Sequence, residues 1–532
     1  MTMNQTLPDV KVPSDLGFDS NKFPDFRLNQ LEISQKAATS DKPLFLLEAP
    51  TGSGKSLAGM SAAKLKGAKR SVYLVATKQL EDQVANDFHI PVLKGRANYP
   101  CLKFNHLYPD ITSEVCSEIK SVQGDCEFQS DCPYSQAKVA ALRSPMCVLN
   151  YPLFFSEANF VGGFSGVDLA ILDEIDTLED QLMSFVEVSI SKRIMDRYKL
   201  GLPKFKTKLE AWKEWAGKAA LVIKDDIDRV TDPSRFSPAQ LKEYIRVKRS
   251  YKKIAFLSEA LDEGWVMELE EDPKAFTPVT FKPVLVGPFA KSTLWRHTAS
   301  SMGMSATIMG ATAMSIDLGL HSWDTEFASI PSPFPVESRL VNYVPVASVT
   351  HKTTEEAYPK IGNAVEKILV RHPKEKVLLH AVSYDLSTFL RDYIRTSTHT
   401  ILWHTRTDRI AKLEAFKSMK QPAVLISPSM ERGVDLPGDM CRVVIVAKVP
   451  YPNLGSPQVN KRLHGYSDGS LWYARRTARS LIQMTGRATR YLGDWSVSYI
   501  LDEQFGAMVG RNPAIWPEWW KQAVKYLDPK EL

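Results

Sequence analysis

The chain has 532 residues, which at roughly 100–200 residues per domain exceeds one hydrophobic core and suggests three or four. With 44% hydrophobic and 24% charged residues, and no run of about 18 apolar residues, the composition is that of a globular chain without a membrane span; no membrane partner is expected. Net charge is +6, and the excess is local: Lys192 to Lys253 holds eighteen Lys/Arg against eight Asp/Glu, which fits a nucleic-acid partner or simply a solvated helical face.

In chain order, the polar start MTMNQTLPDVKVPSD lacks the apolar core of a secretory signal, so a cytoplasmic location is expected. The first strand is predicted over Leu44 to Ala49. It runs into a glycine-rich turn, Thr51-Gly52-Ser53-Gly54-Lys55-Ser56, and a helix from Ser56. Backbone N–H groups of such a turn can face phosphates, helped by the helix N-terminus. Lys55 is placed to neutralise the β- and γ-phosphates of ATP, and the Ser56 hydroxyl to ligate Mg²⁺. A second strand, Ser71 to Thr77, precedes a helical QLEDQVANDF.

The alternation breaks near Pro91. A polar segment to Ser144 holds four of the six cysteines, Cys101, Cys116, Cys126 and Cys132. Such clustering in a large cytoplasmic chain indicates metal binding rather than disulfides. Cys147 and Cys441 adjoin apolar strands and read as small buried hydrophobes.

Strands resume at Met146 to Tyr151 and Val167 to Glu174. The second ends on Asp173 and Glu174, suited to holding Mg²⁺ and to polarising the attacking water. Residues 180–285 read as a helical insertion, with Leu209, Trp212, Ala216, Ala219 and Ile223 at core-packing spacing. From about 340 a second α/β region begins. It ends in Gln483-Met484-Thr485-Gly486-Arg487-Ala488-Thr489-Arg490, where Gln483, Arg487 and Arg490 share helical spacing. Arg487 and Arg490 are candidate arginine fingers, whose forked, permanent charge suits a γ-phosphate. Trp516, Trp519 and Trp520 are expected to pack this second region.

In order and extent, these motifs resemble superfamily-two helicases. Phe26-Arg27-Leu28-Asn29-Gln30 is similar to that family's glutamine motif, which implies Gln30 near the adenine. Ala76-Thr77-Lys78 is similar to its DNA-backbone motif, and Ser305-Ala306-Thr307 to the SAT motif that couples hydrolysis to DNA grip. Glu431 to Gly438, including Asp435, is similar to its EGxDxxG element.

More narrowly, Lys94-Gly95-Arg96-Ala97-Asn98-Tyr99-Pro100-Cys101 and Cys132-Pro133-Tyr134 resemble the borders of the cluster domain in XPD/DinG-like iron–sulfur helicases. The resemblance implies a 4Fe–4S cluster on the four cysteines, single-stranded or forked DNA as partner, and 5′→3′ translocation. The compact length suits a bacterial or phage source, and the group suggests a monomer. Zinc is the other candidate for four thiolates, but zinc sites usually show close CxxC pairs and the chain has none. The chain departs from the group in two places. DEID, with Asp176, replaces the usual DEAH where ATP state is coupled to the second lobe. The wider spacing around Cys116 makes it the least typical ligand.

The expected architecture is thus α/β with two RecA-like parallel-sheet lobes. The first lobe spans 1–92, 146–182 and 286–325, interrupted by a cluster domain at 93–145 and an Arch-like helical insertion at 183–285; the second spans 326–532. Arg96 is the expected contact between cluster domain and DNA. The expected activity is an ATP-dependent DNA helicase. The alternatives are a translocase or remodelling module that does not unwind, and an RNA helicase.

Overall fold

The computed structural model describes residues 7–105, 110–118, 126–233, 236–270, 278–430, 436–486 and 493–532. Arg487, Arg490 and the Glu431 to Asp435 stretch lie outside the described residues.

Two parallel sheets carry the fold. The first is built from β1 (Leu44–Glu48), β2 (Ser71–Val75), β3 (Met146–Asn150), β4 (Val167–Asp173), β8 (Thr298–Ser305) and β9 (Thr325–Ser329), in the order β3-β2-β4-β8-β1-β9. Every neighbouring pair in it is parallel. β1 and β2 are buried along their whole length. Continuous apolar runs of this kind belong to strands covered on both faces, which is where crossover helices put a parallel sheet. β9 pairs with β1 in register from Leu44↔Thr325 to Glu48↔Ser329. The first sheet therefore runs past the expected boundary at 325.

The second sheet comprises β10 (Arg339–Ala347), β11 (Val377–His380), β12 (Thr400–Trp403), β13 (Ala423–Ser427), β14 (Val443–Val446), β15 (Ser496–Asp502) and β16 (Val524–Tyr526). Its order is β12-β13-β11-β14-β15-β10-β16, again parallel throughout. Trp516 and Trp520 stack with centroids 4.9 Å apart against Phe505, beneath this sheet.

Between β4 and β8 the chain departs from the helical reading of 180–285. Three short strands, β5 (Val188–Ile190), β6 (Trp265–Leu269) and β7 (Val279–Pro283), form an antiparallel sheet in the order β5-β7-β6. Two long helices, Leu209–Asp228 and Pro238–Ala260, share a core with it. The Trp212, Ala216, Ala219 and Ile223 stripe lies in that core, as its spacing requires. The strands have three to five residues each, too few to show period-two alternation against a helical background.

This unit reaches both ways. Leu241, Tyr244 and Ile245 of the second helix pack on Cys101, Ile111 and Val115. On the other side the helix Pro457–His464 meets it: Gln458 donates to the Val284 carbonyl at 3.0 Å and Ser456 to Glu268 at 2.8 Å. Among the described residues, no helix is long and apolar enough to cross a membrane.

Candidate active site between the two sheets

β4, β8 and β1 are neighbours, and their carboxyl ends carry three of the motifs. Ligands in open parallel sheets bind at such ends. Beyond β1 the turn 50–54 wraps into the helix Lys55–Leu65, with Gly52 and Gly54 both at φ 79°. A Cβ at Gly54 would fall 2.0 Å from Gln30 Nε2, so only glycine fits there. Ser53 is buried and its hydroxyl donates to the Pro50 carbonyl at 2.7 Å, while Thr51 and Gly52 stay partly exposed. Lys55 Nζ donates to the carbonyls of Ala49 at 3.1 Å and Pro50 at 3.2 Å, which holds the ammonium over the loop.

Gln30 lies under the phosphate loop. Its amide donates to the Ser53 and Gly54 carbonyls at 2.9 and 3.2 Å, and its oxygen accepts from the Arg27 N–H at 2.7 Å. Only 2% of it is exposed, so its own hydrogen bonds shape the loop, and the more open Arg27 guanidinium reaches Gly52.

Asp173, at the end of β4, is buried. Tyr73 of β2 donates to its carboxylate at 3.1 Å and also hydrogen-bonds Ser56. Tyr73 thus links the two side chains expected to hold Mg²⁺, a partner that nothing in the strand pattern SVYLV marks as special. Burial pushes the Asp173 carboxyl up, and Lys55 and Tyr73 pull it back. Glu174 has a left-handed backbone, φ 49°, unusual for a non-glycine residue, and is exposed.

Glu48, the last residue of β1, is a buried carboxylate that accepts the Ile308 N–H at 3.2 Å and the Met309 N–H at 3.4 Å. Burial raises it to about 6 from an ordinary 4.5, which amounts to about 2 kcal/mol. The raised value means that its contribution is full below 4.5 and is lost as pH rises through 6. A Glu48→Gln chain keeps an oxygen for both N–H groups. It is expected to gain about 2 kcal/mol of stability near pH 8 and progressively less towards about pH 5, read as the shift of the thermal transition. A gain that does not change with pH would contradict this origin.

Asp176 ends the Asp173-Glu174-Ile175-Asp176 motif just beyond β4. Its buried carboxylate accepts the Ser305 hydroxyl at 2.7 Å and the Thr307 hydroxyl at 3.1 Å. From the other sheet, the helix Gly469–Thr485 lays one face along the first. Trp472 donates to Glu179 at 3.0 Å, Arg475 pairs with Asp317, Arg476 with Asp180 at 2.6 Å, and Arg479 approaches Asp176 at 3.9 Å. Gln483 then donates to Thr307 at 3.3 Å. These residues recur every three or four positions, one stripe of a helix.

The four clustered cysteines share one neighbourhood. Cys101 and Cys116 hydrogen-bond thiol to thiol, which lowers Cys101 to about 6 and raises Cys116. Cys126 interacts electrostatically with Cys116, and Cys132 lies 4.0 Å from the Ser113 hydroxyl, whose residue also accepts the Cys116 N–H. Among the described residues no three Cys, His, Asp or Glu side chains converge closely enough to hold a metal ion. Cys101 and Cys116 are backed by Ile111, Val115 and Leu241, and thiolates are donors of the kind that soft metals and iron–sulfur groups take. Cys147 and Cys441 are buried, and burial pushes each up to about 12, as expected for inert thiols.

Of the expected DNA contacts, Thr77 is exposed and caps the helix Lys78–Phe88 by accepting the Leu80 N–H at 3.4 Å. Arg96 lies over the Tyr134 ring, 4.1 Å from its centroid. That contact fastens it within the cysteine segment.

The family described as DEAD/DEAH box helicase matches residues 29–208, and the one described as Helicase C-terminal domain matches 366–523. The ATP-dependent DNA helicase YoaA of Haemophilus influenzae is 22% identical over 91% of this chain and 92% of its own length. A probable ATP-dependent helicase of Methanocaldococcus jannaschii is 22% identical over 93% of this chain and 94% of its own. Among solved structures, an XPD helicase is similar with a TM-score of 0.60 at 14% identity, covering 94% of this chain and 98% of that one. Xpd4 of S. tokodaii gives 0.54 at 17%, covering 94% and 100%. At these identities the likeness to the structures is one of fold.

Proposed function

The chain is an XPD/DinG-like ATP-dependent DNA helicase of superfamily two, and from that premise we propose that it translocates 5′→3′ on single-stranded DNA, with Cys101, Cys116, Cys126 and Cys132 holding a 4Fe–4S cluster in the first lobe. One observation carries the motor reading. The phosphate loop, the Asp173-Glu174 pair and the Ser305-Ala306-Thr307 segment meet at three adjacent strand ends, faced by a helix of the second lobe.

In this reading Lys55 and the backbone of the turn hold the phosphates, and Ser56 and Asp173 are the Mg²⁺ ligands. Glu174 orients the attacking water. By the family resemblance Arg487 and Arg490 serve as arginine fingers and Asp435 as a nucleotide-binding residue. Closure and reopening alternate the grip on the strand. A basic groove with stacking aromatic residues is the usual means of such grip, and the basic insertion at 183–285 supplies charge of the right sign. Bound to four thiolates, a cluster supplies a cross-link between chain segments that a polar domain lacks on its own. Thr77 and Arg96 line the DNA path. The chain acts as a monomer in the cytoplasm of a bacterium or phage-infected cell.

Tailed duplexes test direction. Unwinding of a 5′-tailed duplex at least about tenfold faster than a 3′-tailed one is expected. The reverse preference overturns the polarity, and DNA-stimulated ATPase without strand separation favours a pure translocase. Stimulation by RNA alone favours an RNA helicase.

A further inference from the structure

At the amino ends of its strands, away from the phosphate loop, the first sheet borders a cavity. Ser71 and Met146 begin β2 and β3, and the space beside them measures about 380 Å³. Small-molecule sites occupy roughly 300–1,000 Å³. Two helices line it with their far halves. The helix Lys55–Leu65, which starts at the phosphate loop, contributes Met60, Ala63 and Lys64. The helix Lys78–Phe88, which starts at Thr77, contributes Phe88. The chain at 17–23 covers the space with Phe18 and Phe23.

That cover is fastened to both helices. Phe23 stacks on Phe88 with centroids 5.1 Å apart, and Phe18 meets the two rings edge-on at 6.1 and 5.9 Å. Lys22 pairs with Asp87 at 2.6 Å. Lys64 donates to the Leu16 carbonyl at 2.7 Å, its ammonium 4.6 Å from the centre of the Phe18 ring. With Met60, Ile90 and Met146 these rings make an apolar, polarisable wall, which suits a flat aromatic guest. The charged groups around it are engaged with each other or with backbone, Asp19 with the Asn21 N–H, and His89 is exposed. A charged guest would therefore enter without a buried counter-charge. One polar group in the wall is unspent. Ser71 is 2% exposed, and its hydroxyl has no hydrogen-bond partner among the described residues. Buried hydroxyls are normally satisfied, so one left over beside a cavity marks where a polar atom of a guest would bind.

We propose that this cavity is a binding site for an uncharged, flat aromatic molecule of roughly two or three rings that carries one hydrogen-bonding group for Ser71. The site is separate from the nucleotide cleft and does not depend on the helicase reading. Its ligand touches the two helices that lead to the phosphate loop and to Thr77.

The test is titration of the full-length chain with N-phenyl-1-naphthylamine, an uncharged arylamine with one N–H whose emission rises in apolar surroundings. Saturable binding of one equivalent is expected, with a Kd on the order of 10 µM, unchanged by excess ATP and Mg²⁺. Its sulfonated analogue, 1-anilinonaphthalene-8-sulfonate, carries a charge and is expected to bind at least about tenfold more weakly. Ala68→Trp puts an indole into the cavity, and Phe23→Ala removes a half-buried ring of its cover. Each is expected to weaken binding of the uncharged probe about tenfold. Ser71→Ala is expected to weaken it about fivefold, the loss of one hydrogen bond. Thermal transitions without the probe show which variants fold. Should Ala68→Trp fold poorly, Phe23→Ala and Ser71→Ala still decide the matter. The site is overturned by the absence of saturable binding, by displacement of the probe with ATP, by equal affinity for the sulfonated analogue, or by any folded variant of the three that binds like wild type.

Discussion

Replacing Lys55 with alanine is expected to lower ATP turnover by about a hundredfold to a thousandfold and to abolish strand separation. Phosphoryl transfer asks little covalent chemistry of the protein. Nearly all of the acceleration comes from position and from charge laid against the phosphates. The ammonium of Lys55 is held over the loop by the Ala49 and Pro50 carbonyls, and the same electrostatic field reaches Asp173. Nothing else in the turn carries a positive charge. The loop itself should survive the change, because its shape depends on Gln30 below, on Ser53 within and on two left-handed glycines. Single-stranded DNA binding in the absence of ATP is therefore expected to remain near wild type. ATP turnover and unwinding are to be measured on both chains, with DNA binding as the control for folding. Equal turnover by the two proteins would remove the phosphate loop from the site.

Much of this site is legible in the sequence because it is local. The strand, turn and helix around Lys55 occupy one continuous stretch, and so do the apolar run and acidic tip of β4. Their physical requirements are met within ten or so neighbours. What is not legible is long-range. Gln30 finds its partners 23 and 24 residues away, and Asp176 finds Ser305 129 residues away. Tyr73 reads as one more apolar residue of a buried strand until the fold sets it against Asp173. Arg479 reads as a charge on an amphipathic helix until a second sheet supplies Asp176. The strands β5, β6 and β7 escape for a different reason: between two long helices, each is too short to impose its own period. The edge strand β9 escapes because its outer face is partly exposed and its sequence, TEFAS, carries little apolar signal.

Removing one cysteine thiol, with Cys101→Ser as the sharpest case, is expected to strip nearly all the iron from the chain and to cost at least about tenfold in unwinding. Cys101 is the most buried of the four and stands at the contact between the cysteine segment and the helix Pro238–Ala260. Its thiol is lowered chiefly by the hydrogen bond with Cys116, whose own thiol the same contact raises. A serine there keeps the size but supplies a hard, protonated oxygen in place of a soft thiolate. Losing the bound group should loosen the segment that carries Arg96 and Tyr134, and with it the packing of Ile111 and Val115 on Leu241. The effect on unwinding should then exceed the effect on DNA-free ATP turnover, because the phosphate loop and Asp173 lie on other elements. Wild-type protein is expected to be brown, with iron and acid-labile sulfide in stoichiometric amounts, and Cys101→Ser protein to be nearly colourless. Cys116→Ser separates a full ligand from a neighbour: as a ligand it loses iron as Cys101→Ser does, and as a neighbour it keeps it. A colourless wild type that carries zinc would replace the cluster with a zinc site on the same thiols.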